Sequence, residues 1–264
     1  MIPKVIHYCW FGHNEKPQIA LKCIDSWRKF LPDYEIREWN EDNFDVHVIP
    51  YVHEAYCLKK WAFVSDYARI WILYNFGGVY FDTDVELIRP LDDILKAGPY
   101  MGRELECDNN KGLLINMGLG VAAAPRMPIY KDLLDIYKSK HMVQVDGMLK
   151  FTTIVAVVSD YFESKGVQEK NDILDVEGIK IYPADFFCPM NYGNRKIRIA
   201  DNTYSIHHYE ASWMKPTRLE AIEEPFWAFF HQHNRQILSR IKNIFIRCVY
   251  PLSRIGHKIL CKTD

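Results

Sequence analysis

The sequence predicts an α/β fold in which a mixed sheet is flanked by helices. A strand, a helix and a second strand open the chain, and short apolar strands then alternate with helical segments up to about residue 207. Strands connected through helices usually lie side by side in one sheet. Of the 264 residues, 48% are hydrophobic and 14% are aromatic, which is enough to form a sizeable core.

The first elements follow from apolar patterning and from proline and glycine. The run KVIHYCW predicts a strand over residues 4–10, and a proline begins a predicted helix over residues 17–30. Alternation in EIREW predicts a second strand over residues 35–39. A long apolar segment predicts a helix over residues 60–76, because two glycines follow it as a typical helix end.

The same reasoning gives the later elements and the domain boundary. The predicted elements are a strand at 79–81, a short helix from 90, strands within 113–124, helices at 128–140 and 149–164, and strands at 179–182 and 203–207. No repeat, low-complexity segment or flexible linker interrupts them, so residues 1–230 are predicted to form one domain. Residues 231–264 are predicted to form a helical tail.

Charge is unevenly distributed between these two parts. The net charge is −1, yet residues 231–264 hold seven Lys or Arg against one acid. The body therefore lacks the basic surface of a nucleic-acid-binding protein, and we expect no nucleic-acid partner. The tail is basic and amphipathic, which predicts either a peripheral membrane contact or a helix packed on the domain with solvated cations.

Cysteine usage and the N-terminus predict the compartment. The seven cysteines are scattered and form no CxxC pair, so neither a zinc site nor a disulfide framework is expected. The opening MIPKVIHYCWFG does not fit a secretory leader, and no run of 18 apolar residues occurs. We expect a cytoplasmic protein, with the inner face of the plasma membrane as a further expectation if the tail binds lipid.

Two aspartates follow the predicted strand at 79–81. Asp82 and Asp84 are two residues apart, and alternate residues of a strand share a face, so their carboxylates are predicted to converge. Two hard oxygen ligands on one side of an open site suit Mn²⁺ or Mg²⁺, which keep water and substrate phosphates as their other ligands. The alternative explanation is a solvated turn after a strand.

The helix over 60–76 carries a second pair of charged residues. Asp66 and Arg69 are three residues apart and share a face of the helix. Their neighbours are apolar, which indicates a buried helix, and charges are seldom buried unless they meet a ligand or a partner. The alternative is a surface ion pair worth about 0.3 kcal/mol.

Three stretches together resemble one known family. They are IPKVIHYCWFG, WAFVSDYARIWILYNFGGVYFDTDVELIRPLD and SIHHYEASW. In these motifs the sequence is similar to the glycosyltransferases with a DXD-containing sugar-binding region, glycosyltransferase family 32, which include bacterial capsular enzymes, initiating mannosyltransferases and clostridial glucosylating toxins. The resemblance implies a GT-A type, Rossmann-like fold and a metal-dependent, retaining sugar transfer from a UDP- or GDP-sugar.

The resemblance also implies roles for residues at matching positions. Asp66 would accept hydrogen bonds from the donor sugar, and Arg69 would donate to the sugar or to the diphosphate. Asp84 would bind the metal directly, while Asp82 would reach the ribose and the metal. Tyr80 would border the donor.

Other candidates rest on position in the predicted sheet or on the resemblance. Trp10 ends the first strand, where nucleotides lie in such sheets, so it is a candidate for stacking on the base, with a core aromatic as the alternative. The resemblance implies that Asn116 enters the site near the acceptor. His7 is predicted to be a satisfied core histidine. Asp146 is explained equally by an acceptor loop and by a helix N-terminus.

The closing motif SIHHYEASW supplies the remaining candidates. Adjacent histidines face opposite sides of a strand, so only one of His207 and His208 is expected to enter the site. We predict that His208, which is nearer the turn, completes the metal shell, with Glu210 as the rival ligand. Ser212 and Trp213 are predicted to donate to the diphosphate, and packing is the alternative for Trp213.

The prediction is therefore a glycosyltransferase of surface polysaccharide or oligosaccharide assembly, with a glycan or a lipid-linked oligosaccharide as acceptor. No nucleophile is evident on the far face of the sugar, so a front-face displacement is favoured, in which a leaving phosphate oxygen takes the acceptor proton. The alternatives are a protein-modifying glycosyltransferase and a non-catalytic glycan- or membrane-binding protein on the same fold.

Overall fold

A mixed sheet of eight strands forms the centre of the described part of the chain. The computed structural model describes residues 1–105, 112–143, 149–191 and 194–210. The eight strands are β1 (Val5–Cys9), β2 (Glu35–Trp39), β3 (Gly78–Tyr80), β5 (Tyr100–Arg103), β6 (Ile115–Asn116), β7 (Val121–Ala123), β8 (Leu174–Val176) and β9 (Ile179–Tyr182). The remaining two strands, β4 (Val85–Leu87) and β10 (Ser205–His207), form a separate antiparallel pair.

Strand order confirms the predicted α/β class with a mixed sheet. The order is β2-β1-β3-β7-β5-β9-β8, with β6 beside β5. β1 is parallel to both β2 and β3, as expected for strands joined through helices. β7 runs antiparallel to its two neighbours, so one reversed strand lies at the centre of the sheet.

Seven helices cover this framework within the described ranges. They are α1 (Gln18–Phe30), α2 (Pro50–Cys57), α3 (Trp61–Phe76), α4 (Asp92–Ala97), α5 (Pro128–Lys138), α6 (Ile154–Ser164) and α7 (Ala184–Phe187). α1, α3 and α5 match their predicted bounds closely, whereas α6 begins five residues later than predicted. The predictions omitted α2, α7, β4, β5 and β8, because these segments are short or lack clear alternation.

Helix α3 carries the core and also positions the site. Nine of its residues are buried, including Ile70, Ile72 and Leu73. The chain then reverses through Gly77 and Gly78, with φ of 64° and 93°. A Cβ on Gly78 would lie 2.7 Å from the Val5 carbonyl oxygen, so only glycine lets β3 start this close to β1.

All described residues except Val143 and Leu149 belong to one compact unit. The predicted domain boundary at residue 230 lies outside the described residues and stays a prediction. Among the helices described, none combines the length and the apolar character needed to cross a bilayer.

Candidate functional site

The two aspartates of the DxD triplet lie in a tight turn between β3 and β4. β3 ends at Tyr80, and the Val85 N–H donates to the Asp82 carbonyl oxygen at 3.1 Å, which closes the turn. The prediction that a continuous strand aligns the two carboxylates is therefore wrong. They converge nonetheless, because the turn and its neighbours bring a carboxylate oxygen of each into one small cluster.

Arg69 holds the Asp82 carboxylate from the helix side. Arg69 Nη1 donates to Asp82 Oδ2 and Nη2 contacts Asp82 Oδ1, both at 3.1 Å, which is a bidentate pair. The Tyr80 hydroxyl donates to Asp82 Oδ1 at 3.1 Å, and the guanidinium carbon lies 4.9 Å from the centre of the Tyr80 ring. The Arg69 side chain is only 3% exposed, so these contacts fix the direction of the Asp82 carboxylate.

Asp66 shares the same guanidinium from the other side. Arg69 Nη2 lies 3.1 Å from Asp66 Oδ1, and the Ile154 N–H at the start of α6 also donates to Asp66. Burial raises the pKa of Asp66 to about 7, although Arg69 favours the charged form. The alternative of a surface ion pair is excluded, because both side chains are buried. Asp66 is a buried acid that links α3 to the N-terminus of α6.

Asp84 is held by the strand pair β4 and β10. In this pair His207 lies opposite Val85, and His207 Nε2 is 3.1 Å from Asp84 Oδ1. The Glu210 N–H donates to Asp84 Oδ2 at 2.9 Å. Burial favours the neutral acid, but His207 and this N–H together lower the pKa of Asp84 to about 2. Asp84 is therefore ionised at neutral pH.

The structure corrects the choice between the two histidines. His207, not His208, approaches the aspartates, because it lies on the face of β10 that meets Asp84. The His208 ring points to the opposite face, where its Nε2 lies 2.8 Å from Glu86 Oε2, an acid that also pairs with Lys22. Proximity to the turn was the wrong criterion, because strand alternation decides which ring enters the site. Glu210 meets Asp84 through its backbone N–H, and no ligand role for its side chain follows from this contact.

Asp82, Asp84 and His207 form a group that fits a divalent cation. One donor atom from each lies within 4.8 Å of the other two. Two carboxylates and an imidazole suit Mn²⁺, and the two hard oxygens also suit Mg²⁺. His207 Nδ1 is buried without a hydrogen-bond partner among the described residues, so these residues alone do not satisfy this ring. Asp82 is 28% exposed and leaves one side of the group open to a ligand.

Asn116 and Gly118 form the wall beside Asp82. The Asn116 side chain accepts from the Gly118 N–H at 2.6 Å and donates to Glu104 at 2.6 Å. The Asp82 N–H donates to the Gly118 carbonyl oxygen at 3.1 Å. A Cβ on Gly118 would lie 2.1 Å from Asp82 Oδ2, so any larger residue would displace that carboxylate. Asn116 thus belongs to the wall of the site and supports it through hydrogen bonds with the Gly118 backbone and the Glu104 side chain.

Several site residues were missed by the sequence analysis. Glu104 and Tyr209 are hydrogen-bonded to each other, and the Tyr209 ring lies 4.2 Å from the His207 ring. Cys9, at the end of β1, is close to Arg69 and Tyr80, and burial raises the pKa of its thiol to about 12. Position at the carboxyl end of β1 was the one signal that pointed to Cys9, and Trp10 was chosen in its place.

His7 and Trp10 lie in different environments. His7 is a core residue as predicted, because it accepts from the Trp39 indole at Nδ1 (3.0 Å) while Nε2 contacts the Gly77 carbonyl oxygen (3.1 Å). The Trp10 ring is half-buried, and its indole N–H donates to the Asn14 carbonyl oxygen at 2.6 Å. Base stacking by Trp10 stays a prediction.

Other predicted site residues lie outside the described part of the chain. These are Ser212, Trp213, Asp146 and the basic tail over 231–264. Their predicted roles in diphosphate binding, acceptor binding and membrane contact stay predictions.

Part of the chain matches a known protein family. Residues 17–100 match the family described as the glycosyltransferase sugar-binding region containing a DXD motif. The matched region includes α3, the DxD turn and β4, and therefore Asp66, Arg69, Asp82 and Asp84.

Curated relatives are similar over a limited part of the chain. Inositol phosphoceramide mannosyltransferase 3 of Schizosaccharomyces pombe is 31% identical over 110 residues, which are 39% of this chain and 30% of that protein. The initiation-specific alpha-1,6-mannosyltransferase of Candida albicans is 30% identical over 140 residues, 49% of this chain and 34% of that protein. The chain thus spans about a third of the length of these relatives.

Solved structures with a similar arrangement include two glycosyltransferases. PaToxG glycosyltransferase has a TM-score of 0.46 at 18% identity, covering 62% of this chain and 70% of its own. A glycosyltransferase involved in the glycosylation of the major capsid of PBCV-1 has a TM-score of 0.46 at 10% identity, covering 80% and 95%.

Proposed function

We propose that this chain, whose residues 17–100 match the glycosyltransferase sugar-binding region containing a DXD motif, transfers a sugar from a nucleoside diphosphate sugar to an acceptor. The observation that carries the proposal is the cluster of Asp82, Asp84 and His207 beside the buried Arg69. Three ligands that leave one side open suit a cation that shares its remaining positions with a diphosphate.

Asp82, Asp84 and His207 would hold the cation. When bound, a divalent cation neutralises the negative charge that develops on the leaving diphosphate. The chain's own contribution is to fix the ligands in advance. Arg69 clamps both oxygens of Asp82, while the Glu210 N–H orients Asp84, so little reorganisation is needed when a ligand arrives.

Arg69 acts in this proposal as a positioning residue. Its Nε donates to the Ser65 carbonyl oxygen, and its two Nη atoms contact Asp82 and Asp66. Most of its donors are thus engaged inside the protein, which favours orientation of Asp82 over direct contact with the diphosphate. This differs from the role that the family resemblance implies for Arg69.

Under this proposal the Asp66 carboxyl group is able both to accept and to donate a hydrogen bond. A carboxyl group with a pKa near 7 holds a proton in part of the molecules at neutral pH and is able to accept from or donate to a sugar hydroxyl. Its contacts with Arg69 and α6 fix the direction of the carboxyl group. We assign Asp66 to orientation of the donor sugar.

For the donor and the acceptor we propose only a chemical class. The two relatives described above are named as mannosyltransferases, one of them for inositol phosphoceramide, so a mannose donor and a lipid or glycan acceptor are the first candidates. A cytoplasmic location, surface polysaccharide assembly and a retaining, front-face reaction remain part of the same proposal.

Donor hydrolysis tests the proposal directly. The protein would be incubated with Mn²⁺ and GDP-mannose, UDP-glucose, UDP-galactose or UDP-N-acetylglucosamine, and release of the nucleoside diphosphate would be measured. We expect release from one donor, abolished by EDTA and reduced at least about a hundredfold by Asp84→Asn. The matched control is Asp93→Asn, an acid of the same type outside the site, on α4. Release from no donor, or equal release by Asp84→Asn, would contradict the proposal.

A further inference from the structure

A short basic segment near the site is exposed to solvent. Residues 194–199, sequence NRKIRI, are all open to solvent in the structure. Ile197 and Ile199 are 45% and 57% exposed, and they are two of the few large hydrophobic residues exposed to this degree in the described ranges. We call residues 194–199 the basic segment.

The backbone of the basic segment is fixed although its side chains are exposed. Ile197 forms an antiparallel bridge with Met190, and the Arg198 N–H donates to the Pro189 carbonyl oxygen at 3.0 Å. The Asn191 N–H donates to the Lys196 carbonyl oxygen at 2.9 Å. The backbone that carries the two isoleucines is therefore already ordered. Little conformational entropy of this backbone would be lost when a partner covered them.

The charges of the basic segment have one sign. The two isoleucines are flanked in the sequence by three cations, Arg195, Lys196 and Arg198. The nearest acid along the chain is Asp201. Within the described ranges, neither Lys196 nor Arg198 forms an ion pair. An exposed apolar pair surrounded by cations is the composition of an interfacial lipid-binding surface.

The basic segment is also connected to the candidate site. Arg195 Nη1 donates to the Tyr209 carbonyl oxygen at 2.9 Å, and the Tyr209 ring packs at 4.2 Å from the His207 ring. The basic segment is therefore linked through Tyr209 to His207 of the cluster.

We propose that the basic segment docks this protein on an anionic phospholipid surface, with Ile197 and Ile199 inserted among the acyl chains and Lys196 and Arg198 on the headgroups. A nucleic acid would use the cations but would leave both isoleucines in water, and the exposed apolar pair therefore favours lipid. The docking does not depend on the sugar transfer proposed above. It involves described residues and is distinct from the basic tail.

Vesicle co-sedimentation of the full chain tests this proposal. The probes are vesicles of phosphatidylcholine alone and of phosphatidylcholine with about a third phosphatidylglycerol. We expect binding to the anionic vesicles only, weakened at least tenfold by the double change Ile197→Ser and Ile199→Ser. Lys196→Gln and Arg198→Gln should each weaken binding about fivefold.

Matched variants separate the basic segment from other surfaces. Ile173→Ser removes an isoleucine that is 48% exposed elsewhere, and Lys29→Gln removes an exposed cation on α1; both should bind vesicles like the unaltered protein. The thermal shift with nucleotide and Mn²⁺ should stay unchanged in every variant, so loss of docking is distinguishable from loss of the transferase site. Absence of binding to anionic vesicles, or equal binding by the Ile197→Ser and Ile199→Ser variant, would overturn the proposal.

Discussion

His207 Nε2 lies 3.1 Å from Asp84 Oδ1, although the two residues are far apart in the sequence. The contact exists because β10 pairs antiparallel with β4, directly after the DxD turn. The same pairing places His208 on the opposite face against Glu86. The two adjacent histidines therefore form a natural pair for mutagenesis, since they differ mainly in which face of β10 they occupy.

His207→Ala should weaken Mn²⁺ binding at least tenfold, because it removes one of three ligand side chains. His208→Ala is the matched control and should leave the Mn²⁺ affinity within about twofold, since only the contact with Glu86 is lost. Titration of Mn²⁺, followed by electron paramagnetic resonance of the free ion, measures both affinities. The opposite ranking of the two variants would restore His208 as the ligand.

Arg69→Met should destabilise the protein by about 3 to 5 kcal/mol, because it leaves Asp66 and Asp82 without their buried cation. Urea unfolding at pH 7 gives the free energy of unfolding. Arg69→Lys keeps the charge but loses the bidentate geometry, and we expect it to be intermediate. A loss below about 1 kcal/mol for Arg69→Met would show that this pairing is not important for stability.

Gly118→Ala should reduce Mn²⁺-dependent nucleotide binding at least tenfold, because its Cβ would lie 2.1 Å from Asp82 Oδ2 and displace that carboxylate. Gly166→Ala is the control. Its Cβ would meet no atom within 4 Å, but its φ of +81° makes the change cost about 1 kcal/mol of stability. Calorimetric nucleotide affinities, compared with the stability of each variant, separate the two effects. Unchanged affinity in Gly118→Ala would contradict the proposed wall of the site.

Stability should decrease as the pH falls from about 6.5 to about 4, in part because of His7. Burial, with a smaller effect of Arg37, lowers the pKa of His7 from 6.5 to about 4. The unfolded state then binds the proton first, so this contribution is fully present above pH 6.5 and is lost towards pH 4. Urea unfolding between pH 4.5 and 7.5 measures the slope, which should be smaller in His7→Gln. Equal slopes would show that His7 does not contribute.

The residues of α3 and the DxD triplet were accessible to sequence reasoning because their signals are local. A long apolar helix with only Asp66 and Arg69 as charged residues before a double glycine indicates a buried functional pair, and the structure places both beside Asp82. The α/β class followed in the same way from alternating strands and helices.

The third ligand was harder to predict because it depends on a long-range pairing. Which of two adjacent histidines meets Asp84 depends on the register of β10 against β4, and β4 was not predicted at all. Glu104, Tyr209 and Gly118 reach the site through similar non-local contacts. None of them carries a local pattern that distinguishes a site residue from a core or loop residue.

Thermal unfolding with UDP, GDP, CDP and dTDP, each with and without Mn²⁺, tests the central claim most directly. A nucleotide at about 100 times its dissociation constant should add about 2.7 kcal/mol, or several degrees for a chain of this size. We predict that one nucleotide raises the unfolding temperature only when Mn²⁺ is present, and that Asp84→Asn and His207→Ala both abolish this rise. A rise that is independent of Mn²⁺, or no rise with any nucleotide, would contradict the account.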